Sequence, residues 1–235
     1  SGCRMISHAN DSRKMKNQLT VTLNTGAVMP LLGLGVYDMH GKETIDAVVT
    51  ALETGYRLID TAASYENERQ VGEGIRSSGV KREEIFLTTK VADRDQGYDR
   101  TLKAFDRSLE LLGCDYIDLF LVHWPVKATR KETWLALERL YSEKKVCAIG
   151  VANYLVPFLK EMDSFAAVVP AVDQVEFSPF LFLKDLLDEC RLRGTCLQAY
   201  TPLMRGRKFG DVRLTAMSAK YGKTPAQIIL RWSLQ

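Results

Sequence analysis

Seven short apolar runs recur along this chain, with segments of helical spacing between them, and that alternation limits the folds open to it. The runs are "LLGLGVY" (31–37), "YRLID" (56–60), "EIFLTTK" (84–90), "YIDLFLVH" (116–123), "VCAIGVAN" (146–153), "AVDQVEF" (171–177) and "TCLQAYT" (195–201). Between them, "ETIDAVVTALETGY" sets Ile45, Val48, Val49 and Leu52 on one helical face. "YDRTLKAFDRSLELLG" does the same with Leu102, Phe105, Leu109 and Leu112 before stopping on Gly113. "TPAQIILRWSLQ" opens with Thr224 as a cap and Pro225 at the first helical position. Continuously apolar strands separated by helices predict an α/β fold, a parallel sheet covered by helices. The spacing suits either a doubly wound sheet or an eightfold barrel. "GLGVYDM" has two glycines but lacks the third of the dinucleotide fingerprint that goes with the doubly wound fold.

A (β/α)8 barrel needs eight strand–helix units, and this sequence supplies seven. The eighth βα unit is therefore expected to be absent from it, leaving two unpaired strand edges. Residues 1–17 have no apolar core region and read as a polar tail, neither signal peptide nor anchor. Residues 18–235 read as one barrel domain, since barrels run past about 200 residues.

With 46% hydrophobic and 26% charged residues, the composition is that of a soluble globular protein. The net charge of +3 is too small to suggest nucleic acid or a membrane surface as partner. No run approaches the roughly 18 apolar residues of a membrane span. The five cysteines are scattered and odd in number, which argues against a disulfide framework and for a cytoplasmic setting.

The polar residues at strand ends carry the chemistry. Asp60, Lys90, His123 and Asn153 each close an apolar run, Gln174 sits late in the sixth, and Tyr200 and Thr201 end the seventh. In a parallel barrel those ends gather at one face, where barrel active sites are built. Singly, each has a structural reading: Asp60 as a cap, Lys90 as a snorkelling cation, His123 as a core histidine, Tyr65 and Trp124 as packing aromatics. Together they do not. A buried Lys90 requires a counter-ion, which Asp60 supplies. A cation beside Tyr65 is expected to lower the phenol pKa, and a neutral His123 can orient a carbonyl oxygen. That set suits protonation of a carbonyl oxygen as negative charge develops on it. No metal is expected, because the chain has three histidines and no H-E-x-x-H.

A source of electrons is also needed. Tyr200 offers a flat face for a planar ring, with Asn153 and Gln174 as partners for a carboxamide. "TPLMRGRKFG" then places Arg205, Arg207 and Lys208 after the seventh strand, where barrels often bind phosphate. The residues thus point to hydride transfer from a nicotinamide to a carbonyl.

Several stretches, in order and spacing, resemble the aldo-keto reductases: "GYRLIDTAASYENERQVGEGI", "DYIDLFLVHWP", "IGVANY", "PAVDQVEFSPF" and "AYTPLMRG". The likeness is to the compact microbial and plant-like type that includes diketogluconate reductases and prostaglandin F synthases. It implies a (β/α)8 TIM barrel and a catalytic tetrad of Asp60, Tyr65, Lys90 and His123. In that tetrad Tyr65 donates the proton, Lys90 tunes it, Asp60 pairs with Lys90, and His123 orients the substrate. It further implies cofactor contacts at Val36, Asp60, Asn153, Gln174, Tyr200, Thr201, Leu203 and Arg205. Tyr37 and Trp124, with Tyr65 and His123, are implied to line the substrate pocket.

The resemblance implies a monomeric reductase of aldehydes and ketones using NADPH, with NADH left open. A cofactor-binding regulatory barrel and a Schiff-base lyase using Lys90 are the alternatives. Ala152 stands where the family usually has Ser, and Ala92 where it often has Trp. The segment that grips the adenosine 2′-phosphate in the family belongs to the absent eighth unit.

Overall fold

The computed structural model describes residues 18–235; the polar tail expected at 1–17 lies outside them. An antiparallel pair comes first, β1 (Thr20–Thr22) and β2 (Val28–Pro30), and the sequence pattern does not single it out. Seven strands follow: β3 (Gly33–Gly35), β4 (Leu58–Asp60), β5 (Phe86–Val91), β6 (Ile117–Val122), β7 (Val146–Ala152), β8 (Val172–Glu176) and β9 (Cys196–Tyr200). Each pairs in parallel with the next, in chain order. The helices between them are α1 (Gly41–Glu53), α2 (Glu68–Ser77), α3 (Tyr98–Leu112), α4 (Arg130–Ser142), α5 (Val156–Met162) and α6 (Lys184–Arg193). After β9 come α7 (Val212–Tyr221), which the sequence reading passes over, and α8 (Pro225–Ser233). The result is a nearly closed parallel barrel of the (β/α)8 type, with β3 and β9 at the two ends of the strand order.

Strand periodicity sorts the side chains into two cores, because successive residues point to opposite faces. Leu58, Phe86, Leu119, Leu121, Ala148 and Val172 face inward as one cluster, joined by Leu23 and Met29 from the β1–β2 hairpin. Ile59, Leu87, Phe120, Ile149 and Val151 face outward, where Val48, Val71, Phe105, Trp134 and Leu137 of the helices cover them. Burying one such side chain contributes about 1.5–3 kcal/mol, so a one-residue slip that exchanges the faces is strongly opposed. The hairpin packs on Leu58 and Phe86, the residues that begin β4 and β5. It therefore closes the end of the barrel where the strands start.

The same parity places the polar residues. Asp60 stands two residues beyond inward Leu58, Lys90 four beyond Phe86, His123 two beyond Leu121, and Gln174 two beyond Val172. An apolar plug at one end and a polar ring at the other follow from one alternation.

Close helix packing explains Gly72 on α2: a Cβ there would stand 2.2 Å from the Leu112 carbonyl oxygen at the end of α3. The capping box expected at Thr224 is present, with Gln227 as its reciprocal partner. Cys114, Cys190 and Cys196 are free thiols. Among the described residues no helix is long and apolar enough to cross a membrane, and no group of three metal-ligating side chains comes together.

Candidate active site

Lys90 is 1% exposed, and its ammonium donates to Asp60 Oδ1 at 2.5 Å and to the Thr61 carbonyl at 2.9 Å. The other carboxylate oxygen of Asp60 accepts from Gln174 Nε2 at 2.7 Å. Burial is the largest single influence on Lys90 and pulls its pKa down, but Asp60 and Tyr65 together carry it above the usual lysine value. The lysine is held as a cation.

β4 ends at Asp60 and the chain turns through a short 3₁₀ segment, Ala63–Tyr65, closed by Glu66 in the left-handed region (φ 58°). Buried Asn67 ties this turn down. Its amide donates to the carbonyls of Val36 (2.8 Å) and Met39 (3.1 Å), and its oxygen accepts from the Thr61 hydroxyl (2.7 Å). The turn brings the half-buried Tyr65 ring to 5.1 Å from Lys90 Nζ, edge-on to Tyr37 at 5.1 Å and to His123 at 5.7 Å. The Tyr65 phenol sits above its ordinary pKa, because burial outweighs the opposing pull of Lys90. The expectation of a lowered phenol pKa is corrected here: Asp60 largely occupies the lysine charge, and burial works in the other direction.

His123 is pushed down to about 4 by burial first and by the Lys90 charge second. Its ring is therefore neutral near pH 7, with Nδ1 3.1 Å from the Ser64 hydroxyl. Its carbonyl accepts from Asn153 Nδ2 at 3.0 Å. Asn153 itself is left-handed (φ 63°), a conformation that Asn tolerates better than most residues, and its oxygen accepts from the Tyr200 hydroxyl at 2.9 Å.

Gln174 Nε2 donates to Asp60 and also to Gln198 Oε1 at 2.7 Å. Both amide protons thus point into the barrel, and the carbonyl oxygen accepts nothing from the described residues. Beyond β9, Thr201, Met204 and Arg205 are all left-handed (φ 50°, 51° and 52°). The Arg205 guanidinium reaches over the Tyr37 ring at 5.8 Å, while Arg207 and Lys208 are exposed. Leu203 packs beside Leu214, Ile228 and Ile229.

Tyr37 and Trp124 are 61% and 47% exposed at the rim, so Trp124 is not a core residue. Val36 is fully buried, its N–H bonded to the Asp60 carbonyl and its carbonyl to Asn67, which leaves no polar group facing the mouth. Ala92 and Ala152 are both buried. Sequence reasoning overlooks Ser64, Asn67 and Gln198. Only Gln198 carried a signal, its two-residue offset from Tyr200 on the inner face.

The model of the "Aldo/keto reductase family" matches residues 31–235. Glyoxal reductase of Bacillus subtilis (strain 168) is 50% identical over 217 residues, covering 92% of this chain and 79% of that protein. The crystal structure of an aldo/keto reductase from Brucella melitensis superposes with a TM-score of 0.89 at 42% identity, over 93% of this chain and 85% of that one. A structure of Gox0644 in complex with NADPH gives a TM-score of 0.88 at 38% identity, over 93% of this chain and 80% of the other. With the family model spanning most of the chain, and with half the residues shared with a reductase over 92% of this chain, this chain belongs to the aldo/keto reductase family.

Proposed function

We propose that this protein reduces small aldehydes and ketones to alcohols with NADPH, with Tyr65 as the proton donor. The observation that carries the reading is the meeting of a protonated phenol, a buried ammonium and a neutral imidazole at one barrel mouth.

The residues present fit a nicotinamide dinucleotide. With both amide protons spent, Gln174 keeps an unspent carbonyl oxygen, able to accept from a carboxamide N–H. Asn153 has spent one of its two amide protons on the His123 carbonyl, leaving the second for a carboxamide oxygen. Tyr200 offers its ring, and Arg205, Arg207 and Lys208 supply positive charge for a pyrophosphate. The NADPH complex of Gox0644 supports the choice of cofactor. When bound, the dihydronicotinamide supplies the hydride.

The chain's own residues handle the oxygen. His123, neutral at working pH, donates an N–H to the carbonyl oxygen and fixes its direction. Tyr65 retains its proton well past neutrality and delivers it from Oη as charge builds on that oxygen. A raised phenol pKa does not oppose this step, because the oxygen of a reduced carbonyl is far more basic than a phenolate. Lys90 then stabilises the phenolate left on Tyr65, and Asp60 keeps the lysine in place. Arrangement of this kind contributes through donors aimed beforehand at the developing charge.

The Schiff-base alternative requires a neutral lysine, and Lys90 is bonded to Asp60 and Thr61 as an ammonium. Glyoxal reductase, by name, reduces a dicarbonyl, so short dicarbonyls belong in the first substrate panel. The test is the loss of nicotinamide absorbance with NADPH against aldehydes, ketones and dicarbonyls. Turnover with at least one class is expected; none, alongside intact NADPH binding, would favour the regulatory barrel.

A further inference from the structure

Ser64 precedes the tyrosine on the 3₁₀ turn Ala63–Tyr65 and meets His123 across the barrel mouth, its Oγ 3.1 Å from Nδ1. It forms the one side-chain hydrogen bond to the His123 ring among the described residues. The other groups near His123 act differently. Lys90 acts on it through charge, Tyr65 presents a ring at 5.7 Å, and Asn153 bonds only the backbone carbonyl.

A neutral imidazole carries a single N–H, and the partner of one nitrogen decides where that proton sits. If Ser64 donates to Nδ1, the proton is on Nε2, and Nε2 becomes the donor available to a carbonyl oxygen. Were Nδ1 protonated, it would be spent on the Ser64 oxygen and Nε2 could only accept. One turn thus presents both the acid, Tyr65, and the hydroxyl that governs the second donor.

We propose that Ser64 is a positioning residue that holds His123 as the Nε2–H tautomer and fixes its ring plane. This rests on the reading of His123 as the group that orients the carbonyl. Ser64 is solvent-exposed, so its hydroxyl competes with water and the expected effect is modest.

The experiment uses the full chain with NADPH, labelled with ¹⁵N in its imidazoles and carrying His8→Gln and His40→Gln, so that His123 is the remaining histidine. Long-range ¹⁵N–¹H correlation reads the protonated nitrogen directly. The expected result is a proton on Nε2 and an Nδ1 resonance displaced by hydrogen bonding. Ser64→Ala should move that Nδ1 resonance and lower kcat about three- to tenfold, the equivalent of one neutral hydrogen bond. KM for NADPH should not change, and Ser64→Thr should restore both readouts. A proton on Nδ1 in the parent, or an Nδ1 resonance indifferent to Ser64→Ala, would overturn the proposal. Full turnover in His123→Asn would instead remove the role assigned to His123, an outcome read separately from the tautomer.

Discussion

The ammonium of Lys90 and the carboxylate of Asp60 meet at 2.5 Å inside the barrel mouth, from strands β5 and β4, and among the described residues neither has another ionic partner. Their register sets the contact. Asp60 lies opposite Thr88, and Lys90 points inward two residues further on. Because the lysine is wholly buried, the pair holds structure and chemistry together.

Lys90→Met should therefore act on both. It leaves Asp60 with only the Gln174 amide, and breaking a largely buried pair costs about 3 kcal/mol. It also removes the charge proposed to stabilise the Tyr65 phenolate, so turnover should fall by about a hundredfold or more. Urea unfolding and steady-state rates on the same preparation measure the two effects.

His123 gives a pH signature. Its folded pKa, about 4, lies below the 6.5 of the free side chain. Between those values the unfolded chain binds a proton that the folded one refuses, so stability falls as pH drops from 6.5 towards 4. Above 6.5 the contribution is complete and flat. Urea midpoints across this range should show that slope in the native chain, and it should be reduced in His123→Gln.

Asp173 on β8 is wholly buried, and neither carboxyl oxygen has a hydrogen-bond partner among the described residues. Burial carries its pKa well above 3.8. A raised acid favours the folded state below the unfolded pKa, and that advantage is lost as pH rises through the folded value. Asp173→Asn should thus be more stable than the native chain at neutral pH by about 1 kcal/mol or more. The difference should shrink as pH approaches 4. Thermal melts across pH check the sign.

Gln198 orients Gln174 from within the barrel. Gln198→Leu removes the acceptor of one buried amide proton and leaves the Gln174 amide held by Asp60 alone. NADPH affinity should weaken severalfold, by about 1 kcal/mol, with the tetrad geometry unchanged. Fluorescence titration with NADPH measures it.

The barrel was legible because its central strands, β5 to β8, are buried on both faces and so read as apolar runs, and because strand parity aims every second residue inward. Asp60, Lys90, His123, Gln174 and Tyr200 stand at or near strand ends, which makes them visible in the sequence. The hairpin β1–β2 was not legible, since its strands are three residues long and only tertiary contacts to Leu58 and Phe86 define it. Helix α7 buries only Leu214 fully, too little for a periodic pattern. Ser64 acts through one hydrogen bond to His123 and Asn67 through three to its surroundings, and such contacts leave no trace in spacing. The direction of the Tyr65 shift was misjudged because it balances burial depth against one charge, and depth is a property of the folded mouth.

Tyr65→Phe is the most direct test. The variant keeps the ring that packs on Tyr37 and His123 and loses only the hydroxyl. The account predicts that carbonyl reduction by NADPH falls by about a hundredfold to ten-thousandfold, with NADPH affinity and fold intact. Undiminished turnover in that variant would contradict it.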